Sequence, residues 1–307
     1  MERKRISAVV IADSINQNNE RITTMIFTLP RIVLAELNTH RALSKNSASS
    51  RAIPFEKMRE MVLNDPFIPI AWQKDHKGMQ GTEYFEESRI PGLTERWIEA
   101  AKLAVKEATM LTTAGVTKQL CNRMLEPYMW HTVIITGTEW ENFFALRAHP
   151  QAEIHIAKLA EEALEAMNQS TPKSLKEGEW HVPFGDTFDE DRLFDLFWRY
   201  FSENRVNQDF EQFENVKTQL KIKIATARCA RISYNNFEGK DDYEADVKLH
   251  DVLLSSGHCS PFEHIAQNVN DIKSHSNFTG WLQYRKTLTN ENQSDSRLIK
   301  KKYQEKA

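Results

Sequence analysis

The stretch from Glu36 to Pro54 concentrates side chains that can hold an oxyanion. His40 and Arg41 open it, Ser44, Ser47, Ser49 and Ser50 fill it, and Arg51 closes it. An arginine fork grips a phosphate through two parallel hydrogen bonds. Serine hydroxyls and the N–H groups of a turn add donors, as in an anion-binding nest. The ordinary reading is a solvated polar loop after a helix, with Arg51 paired to some acid, and composition alone favours that. Ser49 lacks the Gly-x-Ser-x-Gly setting of a hydrolytic nucleophile.

Two further groups lie downstream. One holds Asn142, Arg147, His149, Gln151 and Glu153. By themselves Arg147 and Glu153 read equally well as surface ion-pair partners, which contribute little. The other holds Arg231 and Ser233, then His258, Ser260 and the run Pro261-Phe262-Glu263-His264. Glu263 beside His264 raises the question of a metal. There is no His-Glu-x-x-His pattern and no clustered ligand set, so none is expected. The bland reading of this run is a turn that tethers a strand through Pro261 and Phe262.

Together the three blocks resemble those of the flavin-dependent thymidylate synthases (thymidylate synthase complementing proteins). His40-Arg41, seven residues, Ser49, and Arg51 two further on match the family's signature loop. Thr39 stands where the family usually has Arg, Ser47 where it often has an acid, and Glu36 where it has Gln on the preceding helix. The second block resembles the family's Asn, Leu-Arg and His-x-Gln-x-Glu-Ile. The third resembles its Ala-Arg-x-Ser and Gly-His-x-x-Pro-Phe-Glu-His segments. In the usual family chain the Pro-Phe-Glu-His block precedes the His-Arg block. Here it follows, so the chain is identified as a circularly permuted member, a rearrangement made cheap where termini lie close together.

The resemblance implies methylation of dUMP at C5 to dTMP, with FAD bound and with methylenetetrahydrofolate and NADPH as co-substrates. It implies that Glu36, Ser49, Ser50, Arg51 and Arg147 meet the pyrimidine nucleotide. Flavin contacts fall to His40, Arg41, Asn142, His149, Ser233, His258, Ser260 and Glu263. Arg147, Ser49 and His40 would carry the catalysis, Arg147 by steadying negative charge on the pyrimidine carbonyl. It also implies a homotetramer with shared sites, so that His258 acts across subunits. The chemistry agrees with the cysteines: Cys121, Cys229 and Cys259 sit in no motif that would activate a thiolate against C6, and a reduced flavin supplies hydride instead. Two rivals stay open. One is hydroxymethylation of dUMP, or methylation or hydroxymethylation of dCMP, for modified DNA, with Thr39, Ser47 and Glu36 placed where such a switch would live. The other is a non-catalytic nucleotide-binding paralogue.

These blocks need rigid elements to hold them. Ile6–Ala12 and Arg21–Leu29 read as strands. Pro30 opens a helix through about His40, and residues 41–54 form a loop. Pro91–Ala114 is helical, with Leu93, Trp97, Ala100, Ala101, Ala104 and Ala108 along one face. Val133–Ile135 is a short strand. Thr138 and Glu141 form a capping box for the next helix. Pro150–Met167 is helical, and Asn168–Asp189 reads as a linker. Helices run from Glu190 to Thr226 and from Tyr243 to Ser256, the latter stopped by Gly257. Trp281–Lys286 reads as a helix. The expectation is an α+β fold, helix-rich around a central antiparallel or mixed sheet, in a single domain over 1–307 with a helical insertion at 171–219 capping the site.

The chain has 307 residues, is 40% hydrophobic and 27% charged, and carries a net charge of −3, so it folds as a globular protein without a global pull toward nucleic acid. Neither nucleic acid nor membrane is an expected partner, and three scattered cysteines fit a reducing cytoplasm.

Overall fold

The computed structural model describes residues 4–77, 81–204, 210–232, 242–289 and 291. Its centre is a sheet built from β1 (Ser7–Ile15), β2 (Arg21–Pro30), β3 (Ser44–Ser47), β4 (Trp130–Gly137) and β5 (Lys173–Ser174). The strand order is β3-β4-β2-β1-β5, antiparallel except that β5 joins β1 in parallel. Between β2 and β3 lies α1 (Leu34–Asn38), preceded by a 3-10 turn, Arg31–Val33. Before β4 come α2 (Phe55–Asn64), α3 (Ile90–Thr113) and the short α4 (Lys118–Cys121); after it come α5 (Glu141–Arg147) and α6 (Ile154–Gln169).

Successive side chains of a strand point to opposite faces, and β2 uses both. Met25, Phe27 and Leu29 join Trp140 and Phe143 of the α5 region and Ile156, Leu159 and Ala163 of α6 in one core. On the other face Ile26 and Ile134 pack against Ile222, Ile224 and Ala225. Those belong to α8 (Phe210–Arg231), which follows β6 (Trp180–His181) and α7 (Glu190–Asn204). A third cluster packs α2 and α3, through Met58, Val62, Ala101, Val105 and Ala108, onto Cys121 and Leu125. Ala101, Ala104 and Ala108 face that core as expected, but Ala100 is exposed and Val105 takes its place. Helices on both sides of a mixed sheet make the fold α+β. Among the described residues no helix is long and apolar enough to cross a membrane.

The chain ends with α9 (Tyr243–Ser256), β7 (Ala266–Asn268), β8 (Ser274–His275), β9 (Phe278–Thr279) and β10 (Trp281–Gln283). Gly257, at φ 71°, stops α9 in the left-handed conformation that glycine adopts without a Cβ clash, and the His258 N–H closes the cap on the Leu253 carbonyl at 3.0 Å. Asp242 caps the other end by accepting from the Ala245 N–H. Inside α9, Asp246 is 2% exposed and accepts from Arg231 Nε at 2.6 Å and lies 3.5 Å from Arg228 Nε. Replacing Asp246 with alanine removes the buried carboxylate that both arginines meet. A loss of about 3–5 kcal/mol in unfolding free energy is expected from urea titration. A loss below about 1 kcal/mol would show the pair to be solvated.

The structure departs from the sequence-based expectations in five places. Pro30 ends β2 rather than opening a helix, and the helix stops at Asn38. Residues 44–47, expected in a loop, form β3 because β4 offers an open edge that recruits even Ser-Lys-Asn-Ser. The Thr138–Glu141 capping box is absent: α5 follows Trp140 without a side-chain cap, and Thr138 Oγ1 accepts from the Thr279 N–H instead. The expected linker at 168–189 contributes β5 and β6 to two sheets and buries His181. Trp281–Gln283 is strand, not helix, paired with β7, with Trp281 and Gln283 buried on one face; only Tyr284–Thr287 turns, as a 3-10 helix.

Candidate active site

The end of α1 and the end of α5 meet at a polar junction. Arg147 Nε donates to His40 Nε2 at 2.9 Å, Nη2 reaches Thr39 Oγ1 at 3.4 Å, and Nη1 lies 3.6 Å from Glu36 Oε2. A guanidinium only donates, so His40 Nε2 is the acceptor and the imidazole is neutral with its proton on Nδ1. Burial, then the charges of Arg147 and Lys45, hold the His40 pKa down at about 4. The ring stands edge-on to Phe143, centroids 5.0 Å apart. Burial, then Glu153, raises the Glu36 pKa, with Arg147 and His155 opposing. Glu153 itself caps α6, accepting from the His155 and Ile156 N–H groups at 2.9 and 3.1 Å.

The loop at 48–54 is braced from below. Ser50 is buried, and its hydroxyl donates to Glu126 Oε1 at 2.7 Å, while its carbonyl accepts from Asn122 Nδ2 at 2.6 Å. Asn122 also holds the Ile53 carbonyl, at 2.9 Å. Arg31 links Glu126, at 3.4 Å, to His131, at 3.1 Å. The Ser50 hydroxyl is thus spent inside the protein, leaving Ser49 half-buried and Arg51 exposed at the loop surface.

The third block comes back to the first across the sheet edge. Ser260 Oγ donates to Asn46 Oδ1 at 3.5 Å, and Asn46 Nδ2 donates to the Cys229 carbonyl at 3.0 Å. Glu263 pairs with Arg285. His264, fully buried, meets Thr136 Oγ1 at 2.9 Å; that hydroxyl bonds Thr24 Oγ1 at 2.7 Å, and Thr24 bonds His181 Nε2 at 2.8 Å. Lys45 donates to the carbonyls of His40 and Leu43, and burial lowers its pKa to about 8 against the pull of Glu263.

The structure therefore brings together His40, Glu36 and Arg147, and joins Ser260 to the strand that follows the His-Arg turn. Arg41, Arg51, Asn142, His149 and His258 are exposed. His149 accepts from the Gln151 N–H and His258 bonds Ser256, so neither touches the Arg147 junction by hydrogen bond. Ser233 lies outside the described residues. Sequence reasoning missed Lys45, Asn46, Glu126 and Asn122. Lys45 and Asn46 sit inside the quoted motif, but nothing in their types or spacing marks them out. Among the described residues no group of three or more His, Cys, Asp or Glu is arranged to hold a metal ion.

A family model described as thymidylate synthase complementing protein matches residues 19–173, half of the chain, which includes the first two blocks. Among solved structures the chain is similar to a UMP/dUMP methylase, PolB, from Streptomyces cacaoi bound with 5-Br UMP. The identity is 14% and the TM-score 0.45, over 54% of this chain and 90% of that one. It is also similar to thymidylate synthase X from Helicobacter pylori with FAD and dUMP, at 18% identity and a TM-score of 0.33, over 48% of this chain and 67% of that one. No curated protein matches the chain.

Proposed function

The chain belongs to the thymidylate synthase complementing protein family, and from that premise we propose that it methylates dUMP at C5 to dTMP in a permuted single domain. The observation that carries the reading is Arg147 of the second block, held between Glu36 and His40 of the first. Methylenetetrahydrofolate would give its methylene to C5 and leave as tetrahydrofolate, C5 would lose its proton, and NADPH would re-reduce the flavin. FAD, once reduced, would supply the hydride that a thiol-based enzyme takes elsewhere. The donor set fits such a group: Arg41 and His258 are exposed, and Ser260 has a hydroxyl at the surface beside Asn46. Cys229 is buried, and burial pushes its thiol pKa far up, away from nucleophilic use.

In this reading Arg51 and Ser49 hold the 5′-phosphate, and Ser50 offers its backbone N–H while its hydroxyl keeps the loop in place. Arg147 steadies charge on the pyrimidine carbonyl, with the neutral His40 orienting its fork. A homotetramer with shared sites, and the 171–219 segment with α7 as a cap over the site, belong to the same reading. The test is the visible spectrum of the purified protein, followed by anaerobic reduction and addition of dUMP with methylenetetrahydrofolate. A flavin spectrum that reoxidises, with a product heavier by a methyl group, is the expected result. A hydroxymethyl product or turnover of dCMP instead replaces the proposed reaction. A colourless protein that binds no added FAD overturns the reading.

A further inference from the structure

The turn that presents His40 and Arg41 has little backbone support of its own. His40 N–H reaches the Leu37 carbonyl and Leu43 N–H the His40 carbonyl, both at 3.3 Å, and Arg41 and Ala42 are exposed. Lys45 bonds the His40 and Leu43 carbonyls from within the turn, and the remaining fixing comes from the far end of the chain. Asn277 Nδ2 donates to the Ala42 carbonyl and to Ser44 Oγ, both at 3.0 Å. Gln283 Nε2 donates to Ser44 Oγ at 3.1 Å and to Asn277 Oδ1 at 2.5 Å. The two amides together have four N–H bonds to give, and all four are used on this knot. Gln283 is 1% exposed, so its bonds are shielded from competing water.

The hairpin that carries Asn277 is also anchored just ahead of the second block. Thr279 N–H donates to Thr138 Oγ1 at 3.1 Å and its hydroxyl to Glu139 Oε1 at 3.0 Å. Trp281 Nε1, beneath it, donates to the Glu20 carbonyl at 3.1 Å. The tip is bent to suit: Ser276 sits at φ 68°, a left-handed conformation that a residue with a Cβ enters only at a cost. Such outliers persist where surrounding structure over-determines them, often at functional sites. Here the surrounding structure is the knot around Ser44.

We propose that Asn277 and Gln283 are positioning residues of the candidate site, clamping the His40–Ser44 turn so that His40 stays seated on Arg147. They touch no reacting atom and act through the turn. The clamp draws its function from the proposed nucleotide chemistry, but its mechanical part is independent of that chemistry.

The test uses Asn277→Asp, which keeps the shape and loses both donated bonds, and Gln283→Leu, which removes the second amide. Ser276→Gly is the control, since it relieves the turn and leaves the amides in place. Protein labelled with 15N-histidine reports the His40 ring by NMR during a pH titration. Wild type and Ser276→Gly should keep His40 neutral to well below pH 6, whereas both clamp variants should shift its midpoint upward by about one pH unit or more. Binding of dUMP should weaken about tenfold in the clamp variants with the melting temperature little changed. If Asn277→Asp does not fold, Gln283→Leu decides alone. Native His40 titration in folded clamp variants overturns the inference. Failure of wild type to bind dUMP overturns the functional reading and leaves the His40 titration as the test of the clamp.

Discussion

Replacing Arg147 with alanine should lower kcat by about 10²–10³-fold while FAD stays bound. Arg147 joins the first two motif blocks by hydrogen bond and charge together, through His40, Thr39 and Glu36. Without it, His40 Nε2 loses its donor and one of the charges that hold its pKa down, so its titration midpoint should rise from about 4. Glu36 loses the cation that opposes its raised pKa and should climb further. The cost to folding should stay near 1 kcal/mol, since the Arg147 side chain remains 22% exposed and its pairing with Glu36 is long. A large kcat loss with a native melting temperature and a native flavin spectrum therefore separates a catalytic role from a structural one. Lysine should not rescue, because one ammonium cannot reproduce the fork toward three partners. Full activity of Arg147→Ala would remove Arg147 from the site.

The candidate site residues stood out in the sequence because their types are unusual at those spacings. Gly257 was legible as a helix stop because only its backbone freedom explains it there, and its φ of 71° agrees. What stayed hidden depends on contacts between distant segments. Ser-Lys-Asn-Ser has no strand signature, and it is strand because β4 completes its hydrogen bonds. Thr138 and Glu141 have the spacing of a cap, yet the Thr138 hydroxyl faces Thr279, far along the chain. The Trp-Leu-Gln-Tyr run is readable as helix by propensity, but burial of Trp281 and Gln283 with Leu282 partly exposed is a two-residue period. Asn277 and Gln283 are ordinary amides in sequence; their meaning is their distance to Ser44. Lys45 reads as a solvated lysine until two carbonyls are found at its ammonium.

The second large effect should come from acid. Among the described residues, four of the buried histidines have pKa values held down to about 4 or below in the folded protein. Burial, then the Arg31 charge, lowers His131 to about 3, and burial, then His181, lowers His264 to about 3. Burial lowers His181 to about 4 despite Asp13, and His40 lies at about 4. In an unfolded chain each would titrate near 6.5. Between those values the unfolded state binds more protons, so stability rises with pH across that window. The contribution is complete above about pH 6.5 and is lost as pH falls toward 4. A shift of two units in one histidine amounts to about 3 kcal/mol, and whole domains are stable by only about 5–15 kcal/mol. The protein should therefore unfold before all four protonate. The raised pKa of Glu36 works the other way, but this side chain is partly exposed and single. The lowered Glu153 adds to the loss only at more acidic pH. Urea midpoints should be level from pH 8 to 7 and fall steeply from 6.5 to 5. Replacing His181 with glutamine, which can still bond Ser14 or Thr24 but cannot charge, should lower the slope by roughly one proton, about 1.4 kcal/mol per pH unit. A flat profile down to pH 5 would mean that these imidazoles find water or charge partners when protonated, and that the chain from Thr136 to His181 is not the dry core its distances describe.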